Sequence, residues 1–328
     1  MNISFEKIKE LLQGVVYTEE IDGTLFLHRF TKAQEEAYKP YNTDFYKKTF
    51  ATAGVRMEFL TDSTSLSMSG EAVSASSRKF FSFDIYLNGA LVKTAQFDIT
   101  EGRASFSFDA ALGVGTKKVA IYFPWSASAK ICSFSLDDGA QAEAVTRPYK
   151  MISFGDSITH GYDANDPSFS YASRLADALQ ADAVNKGIGG EVFFPTLATL
   201  KDDIAPDYIT VAYGTNDWYF CESAEIFDKK CKDFFENLSA SYPNSKIFAI
   251  TPIWRGDWKK TENRFAPFGH IHKAIESVAA SLPNVTVIDG VDLVPHDKTC
   301  FSPDVLHPND EGFRHYANNL YAEIKKYI

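Results

Sequence analysis

The sequence predicts an α/β protein of two unlike halves: an all-β sandwich or jelly roll over residues 1–148, then a three-layer α/β/α domain on a parallel sheet over 149–328. Three observations lead there. A length of 328 residues is long for one domain and comfortable for two. From about Val55 to Leu136 apolar and polar residues alternate with the period of a half-buried strand. After Arg147-Pro148 the rhythm becomes apolar strand, loop and amphipathic helix, repeated about five times, the mark of parallel strands joined by helices.

In the first half, candidate strands are 56–60, 81–87, 104–108, 118–123 and 130–136. Asn88-Gly89, between 85–87 and 91–92, signals a tight hairpin, because both residues tolerate positive φ. Short strands separated by turn residues suit a sandwich. A purely structural role for this half and a substrate-binding one weigh about equally.

In the second half the apolar runs 151–154, 181–184, 208–213, 246–253 and 285–288 are the strands. Helix 170–180 carries Leu175, Ala176 and Leu179 on one face, and helix 224–238 carries Phe227, Cys231, Phe234 and Leu238. Those stripes are most simply core. Residues 309–327 form a terminal helix.

Composition narrows the function. A net charge of -10 and a pI near 5.2, with no lysine or arginine cluster, argue against a nucleic-acid partner. Residues 1–14 interleave Glu6, Lys7, Lys9 and Glu10 with apolar residues, unlike a secretory signal. No stretch approaches the roughly 18 apolar residues of a membrane span, so no membrane partner is expected. Cys132, Cys221, Cys231 and Cys300 show no metal-ligand spacing and read as reduced thiols of a cytoplasmic protein. No metal or cofactor is expected.

Four short stretches carry chemistry: Gly155-Asp156-Ser157, residues 185–190, Gly214-Thr215-Asn216-Asp217, and Asp304-Val305-Leu306-His307. The first three each follow a strand-like run, so they fall outside the carboxyl ends of the strands, where open α/β sheets bind ligands. Ester hydrolysis through a covalent intermediate needs a hydroxyl, a base and oxyanion donors. Ser157 is the candidate hydroxyl, although Gly-Asp-Ser alone is ordinary turn composition. Among seven histidines, His307 is the best base, because Asp304 three residues earlier can bend back to hold its tautomer. His160 reads as a local loop residue, and His270, His272 and His315 lie in predicted helices. Asn216 offers a side-chain amide to an oxyanion. Gly190 lets a carbonyl approach its N–H, since it has no Cβ.

Each stretch alone is more often a structural turn; together and in this order they are specific. Here the chain resembles the SGNH (GDSL-type) hydrolase superfamily, whose blocks are Gly-Asp-Ser, a glycine, Gly-x-Asn-Asp and Asp-x-x-His, over roughly residues 149–328. The resemblance implies a flavodoxin-like domain with Ser157 as nucleophile, His307 as base and Asp304 as its orienter. It implies Ser157 N–H, Gly190 N–H and the Asn216 side chain as the oxyanion hole, with Asp156 supporting the turn. The order of domains, and the stretch Val55-Arg56-Met57-Glu58-Phe59, also look like carbohydrate esterases of family two, which remove acetyl groups from plant polysaccharides.

One hint towards sugar is independent of that resemblance. Trp218 follows the Asn216 turn, and Trp254 and Trp258 follow strand 246–253; indole faces stack on sugar rings, although the three could equally pack a domain interface or an acyl pocket. Arg255 could bond sugar hydroxyls. The expected partner is a small-molecule or oligosaccharide ester. Lipid or lysophospholipid esterase activity, and a non-catalytic carbohydrate-binding role, are the alternatives. A dinucleotide site is disfavoured, because Val192 stands where G-x-G-x-x-G needs its third glycine. Thr159 likewise breaks the G-x-S-x-G of an ordinary α/β-hydrolase.

Overall fold

The computed structural model describes residues 1–262 and 264–328. In the first half, two antiparallel sheets face each other. One runs Leu12–Gln13, Arg56–Thr61, Lys117–Tyr122, Phe80–Leu87, Ala90–Asp98, with Ala142–Ala144 added beside Arg56–Thr61. The other runs Tyr17–Ile21, Thr24–His28, Ala127–Leu136, Ser65–Ser74, Arg103–Ala111. Alternation explains the packing: each strand sends every second side chain inward, so Phe83 of the first sheet meets Phe106 and Phe108 of the second at ring separations of 4.7 and 5.1 Å. Asn88 (φ 50°) and Gly89 (φ 86°) form the expected hairpin turn, and Asp22 (φ 50°) with Gly23 (φ 74°) forms another.

The first half also contains three helices, Phe5–Leu11, Lys32–Tyr41 and Thr43–Thr49. Strand periodicity gave no sign of them. Thr31 and Gln34 close a capping box on the second, and Asn42 caps the third. These two leave the sandwich and lie against the other half, where Phe30 and Tyr38 are wholly buried in its core.

The second half is a five-stranded parallel sheet in the order Ala181–Gly187, Tyr149–Gly155, Tyr208–Ala212, Lys246–Ile250, Val285–Ile288. That is the flavodoxin-like order 2-1-3-4-5. Helices Tyr171–Ala178 and Asp310–Ile324 cover one face, with Tyr171 stacked on Tyr316 at 4.1 Å. Helices Ala224–Ser241 and Phe268–Ala279 cover the other. Strand Lys246–Ile250 stops short of the expected 253, where Pro252 lacks the N–H that a ladder needs. Among the described residues, no helix is long and apolar enough to cross a membrane.

The first strand therefore lies between the second and the third. Where their chain connections diverge, a crevice opens at the carboxyl ends.

Candidate active site

Ser157 leaves the first strand through a turn capped by Asp156, whose carboxylate accepts the Ile158 N–H at 2.9 Å. Space is tight beneath it. A Cβ on Gly187 would sit 2.3 Å from the His160 nitrogen, so glycine at the end of the second strand is what lets the Ser157–His160 turn dock. His307 reaches the same point from 150 positions away. Its Nε2 lies 2.8 Å from Ser157 Oγ, and its Nδ1 lies 2.6 Å from Asp304 Oδ2. The turn is organised locally, since Asp304 Oδ1 also accepts the N–H groups of Leu306 and His307 at 2.9 and 3.0 Å. Val305 is held at φ 53°, a strained angle for a β-branched residue, while its N–H and C=O bond Ser302 and Gly256 at 2.8 Å each.

Burial alone would raise the Asp304 carboxyl, but hydrogen bonds from the His307 ring and from the Leu306 and His307 amides outweigh it and hold it at about 2. With Asp304 ionised, Nδ1 carries the imidazole proton and Nε2 is left to accept from Ser157. A second carboxylate, Asp163, stands 3.9 Å from the same Nδ1 and is gripped by Arg78 of the β half at 2.5 and 2.8 Å. Asp163, Asp304 and His307 are close enough together to hold a cation, but both His307 nitrogens already face Ser157 and Asp304.

Gly190 and Asn216 lie on neighbouring loops that follow the second and third strands. Gly190 adopts φ 91°, open to glycine without strain. Asn216 donates one amide proton to the Glu191 carbonyl at 3.0 Å, leaving its second proton for another acceptor. Asp217 ties the two loops together by accepting the Phe193 and Gly214 N–H groups at 3.0 and 3.1 Å.

Residues 153–315 match the model of the GDSL-like lipase/acylhydrolase family. The second domain belongs to that family. The chain is an SGNH-type carboxylic ester hydrolase with the two-domain layout of family-two carbohydrate esterases. Among solved structures it superposes on a salicylyl-acyltransferase from a tetracycline biosynthetic pathway with a TM-score of 0.86 at 22% identity, covering 99% of this chain and 97% of that one. A family-two carbohydrate esterase from Cellvibrio japonicus gives 0.67 at 16% identity over 99% and 97%. Another from Clostridium thermocellum, solved with cellohexaose, gives 0.66 at 17% over 84% and 93%. No curated protein sequence matches the chain.

In this SGNH hydrolase three buried carboxyls brace the turns that follow the first three strands: Asp156, Glu191 and Asp217. Burial pushes Asp156 up to about 6, Asp217 to about 7 and Glu191 to about 8, against hydrogen bonds that favour the ionised forms. Glu191 accepts the hydroxyls of Tyr38 and of Tyr213, the latter at 2.9 Å. From the first half, Arg29 donates to the carbonyls of Asn185 and Gly187 at 2.5 and 2.8 Å, and Lys48 Nζ to that of Gly189 at 2.7 Å. Phe45 lies 3.4 Å from where a Cβ on Gly190 would be. Sequence reading missed Glu191 and the residues of the first half that reach this loop, Arg29, Tyr38, Phe45 and Lys48. Glu191 carried one signal, an acidic residue just before the aromatic pair Phe193-Phe194.

Other expectations need correction. His160 is not a loop residue but a buried one. Its Nε2–H donates to the Trp125 carbonyl at 2.8 Å, its Nδ1 accepts the Gly189 N–H at 3.2 Å, and burial holds the ring neutral. Trp218 is fully buried and offers no face to a sugar. The turn after Asn216 points it inward between the Arg255 and Arg264 guanidinium groups, 5.0 and 4.7 Å from the ring, and its N–H donates to Ala266. Tyr219 and Phe220 are the exposed aromatics there. Arg255 is likewise buried, bonded to Asp257 and to the Thr215 carbonyl, so it braces the loop and faces no ligand. Trp254 and Trp258 do line an apolar cleft of about 180 Å³ with Phe268, His272, Val291 and His296. His296 covers one face of Trp254, whereas Trp258 is exposed.

Proposed function

We propose that the protein is a serine esterase that removes acetyl groups from acetylated carbohydrates of plant-polysaccharide origin through an acyl-enzyme on Ser157. The hydrogen-bonded line Ser157–His307–Asp304 carries this reading. Ser157 Oγ attacks the acetyl carbonyl and forms the C–O bond while His307 Nε2 takes its proton. Ser157 N–H, Gly190 N–H and the Asn216 amide stabilise the oxyanion. The tetrahedral intermediate collapses, the bond to the sugar oxygen breaks, and His307 returns the proton to that oxygen. Water then repeats the cycle, releasing acetate and the free serine. Asp304 keeps the imidazole in the tautomer that both halves of the cycle require.

The sugar assignment draws support from exposed aromatics on the loops that carry Asn216 and Gly256. Trp258 lies two residues from Gly256, which bonds the His307 turn, and Tyr219 lies three residues after Asn216. The family-two esterase solved with cellohexaose has the same fold. Steady-state kinetics on acetylated xylo-, manno- and gluco-oligosaccharides, with acetyl and octanoyl p-nitrophenyl esters beside them, test it. Acetyl turnover well above octanoyl, with sugar acetates favoured over simple acetates, is the expected result. Equal or faster octanoyl turnover would instead support a lipid esterase.

A second reading is acyl transfer to an alcohol, favoured by the full-length superposition on an acyltransferase. It shares the acyl-enzyme. Formation of a new ester in preference to free acetate, on adding an alcohol acceptor, would distinguish it.

A further inference from the structure

The loop proposed to offer Gly190 N–H is held peptide by peptide, and the decisive peptide is held from the other half of the chain. A peptide unit is planar, so the C=O of Gly189 and the N–H of Gly190 turn together as one rigid group. Lys48 Nζ, from helix Thr43–Thr49 of the β half, donates to that carbonyl at 2.7 Å. The preceding plane is fixed separately: the Gly189 N–H donates to His160 Nδ1 at 3.2 Å, and the Ile188 carbonyl accepts the Glu191 N–H at 3.0 Å. Gly190, at φ 91°, sits in the open region of glycine and has no side chain to lock its plane. The Lys48 side chain is only 13% exposed and is itself steadied by Asp44 at 2.6 Å.

We infer that Lys48 is a positioning residue for the oxyanion hole, fixing the direction of the Gly190 N–H and strengthening it as a donor. The second effect follows from charge: an ammonium on the carbonyl oxygen draws electron density through the conjugated amide and leaves its N–H more positive. Both effects act where negative charge develops in the transition state, so the residue bears on turnover and hardly on ground-state binding. The inference rests on the proposed roles of Ser157 and Gly190, and gives the β half a part in catalysis without any contact to substrate.

The test compares wild type, Lys48→Met and Lys48→Arg on p-nitrophenyl acetate, together with the inhibition constant of an alkylboronic acid, whose tetrahedral serine adduct places an oxygen in the oxyanion hole. Lys48→Met is expected to lower kcat by about 10-fold, with KM within about twofold, and to weaken boronate inhibition by a similar factor. Lys48→Arg, which keeps a cationic donor, restores most of both. A simple packing role would lower the melting temperature without coupling kcat to boronate affinity. Unchanged kcat, or a lower kcat with unchanged boronate inhibition, overturns the inference. Should Lys48→Met not fold, Lys48→Gln keeps a neutral donor on a shorter stem and is expected to fall between wild type and the predicted Met value in both readouts; a wild-type value in either would equally overturn it. Ser157→Ala run alongside separates the two levels. If it is inert while Lys48 proves neutral, only the Lys48 role falls; if it is fully active, the reading of the whole site falls with it.

Discussion

The two flanks of Ser157 are built by different rules. On the base flank, Asp304 and His307 sit three residues apart, and one carboxylate organises the turn and orients the imidazole together. On the proposed oxyanion flank, the 185–191 stretch is steadied by residues 141 to 158 positions distant: Lys48 on Gly189, Tyr38 on Glu191, Arg29 on Asn185 and Gly187. The first flank takes indirect support from the β half, Arg78 on Asp163 beside His307. The second is bonded by Tyr38 and Lys48 of the helices that leave the β-sandwich and by Arg29 just before them, although none of these is a proposed reacting group.

Breaking the long-range supports should therefore cost stability and rate together. Arg29 is wholly buried and satisfies four backbone carbonyls, on Ala51, Lys48, Asn185 and Gly187. Arg29→Ala leaves them without that partner and should destabilise by at least about 3 kcal/mol, visible in urea unfolding, with activity lost in the protein that still folds. A mild loss of stability with full activity would show that the oxyanion loop stands alone.

Removing a reacting group on the same flank should behave differently. Asn216→Ala should lower kcat by about 100-fold or more while leaving the urea midpoint nearly in place, since among the described residues its side chain makes one hydrogen bond, to the Glu191 carbonyl. Loss of fold in that variant would mean that Asn216 is a support.

The smallest effect sharpens the contrast through pH. Asp156, Asp217 and Glu191 are raised in the folded state to about 6, 7 and 8, above the values of an unfolded chain near 4. The folded protein then holds more protons than the unfolded one across this window. The cluster's contribution is fully present below about pH 4 and is lost as pH rises through those folded-state values. Glu191→Gln, which cannot ionise, should flatten the upper part of the decline in melting temperature between pH 6 and 9. Parallel curves for wild type and variant would show that Glu191 does not titrate there.

The same contrast decides what could be read in advance. The parallel strands, the helix stripes and the Ser157, Asn216, Asp304 and His307 stretches were legible because each is a local pattern tied to a strand end or a tight turn. Trp218 and Arg255 misled because position in sequence says that a residue is near an edge but not which way it points. Trp218 turns inward between two guanidinium groups, and its neighbours Tyr219 and Phe220 face outward. Tyr38 and Lys48 were silent, since a helix whose stripe packs on another domain looks like any short polar helix until both partners are placed, and Arg29, in the bend before the first of these helices, carries no pattern at all.

The account depends most on Ser157 becoming acylated. Rapid-mixing of the protein with p-nitrophenyl acetate should give a burst of about one equivalent of p-nitrophenol per chain, with an acetyl group found on the Ser157 peptide by mass spectrometry and neither seen in Ser157→Ala. An undiminished burst in Ser157→Ala, or an acetyl group carried by another residue of the active wild type, would contradict it.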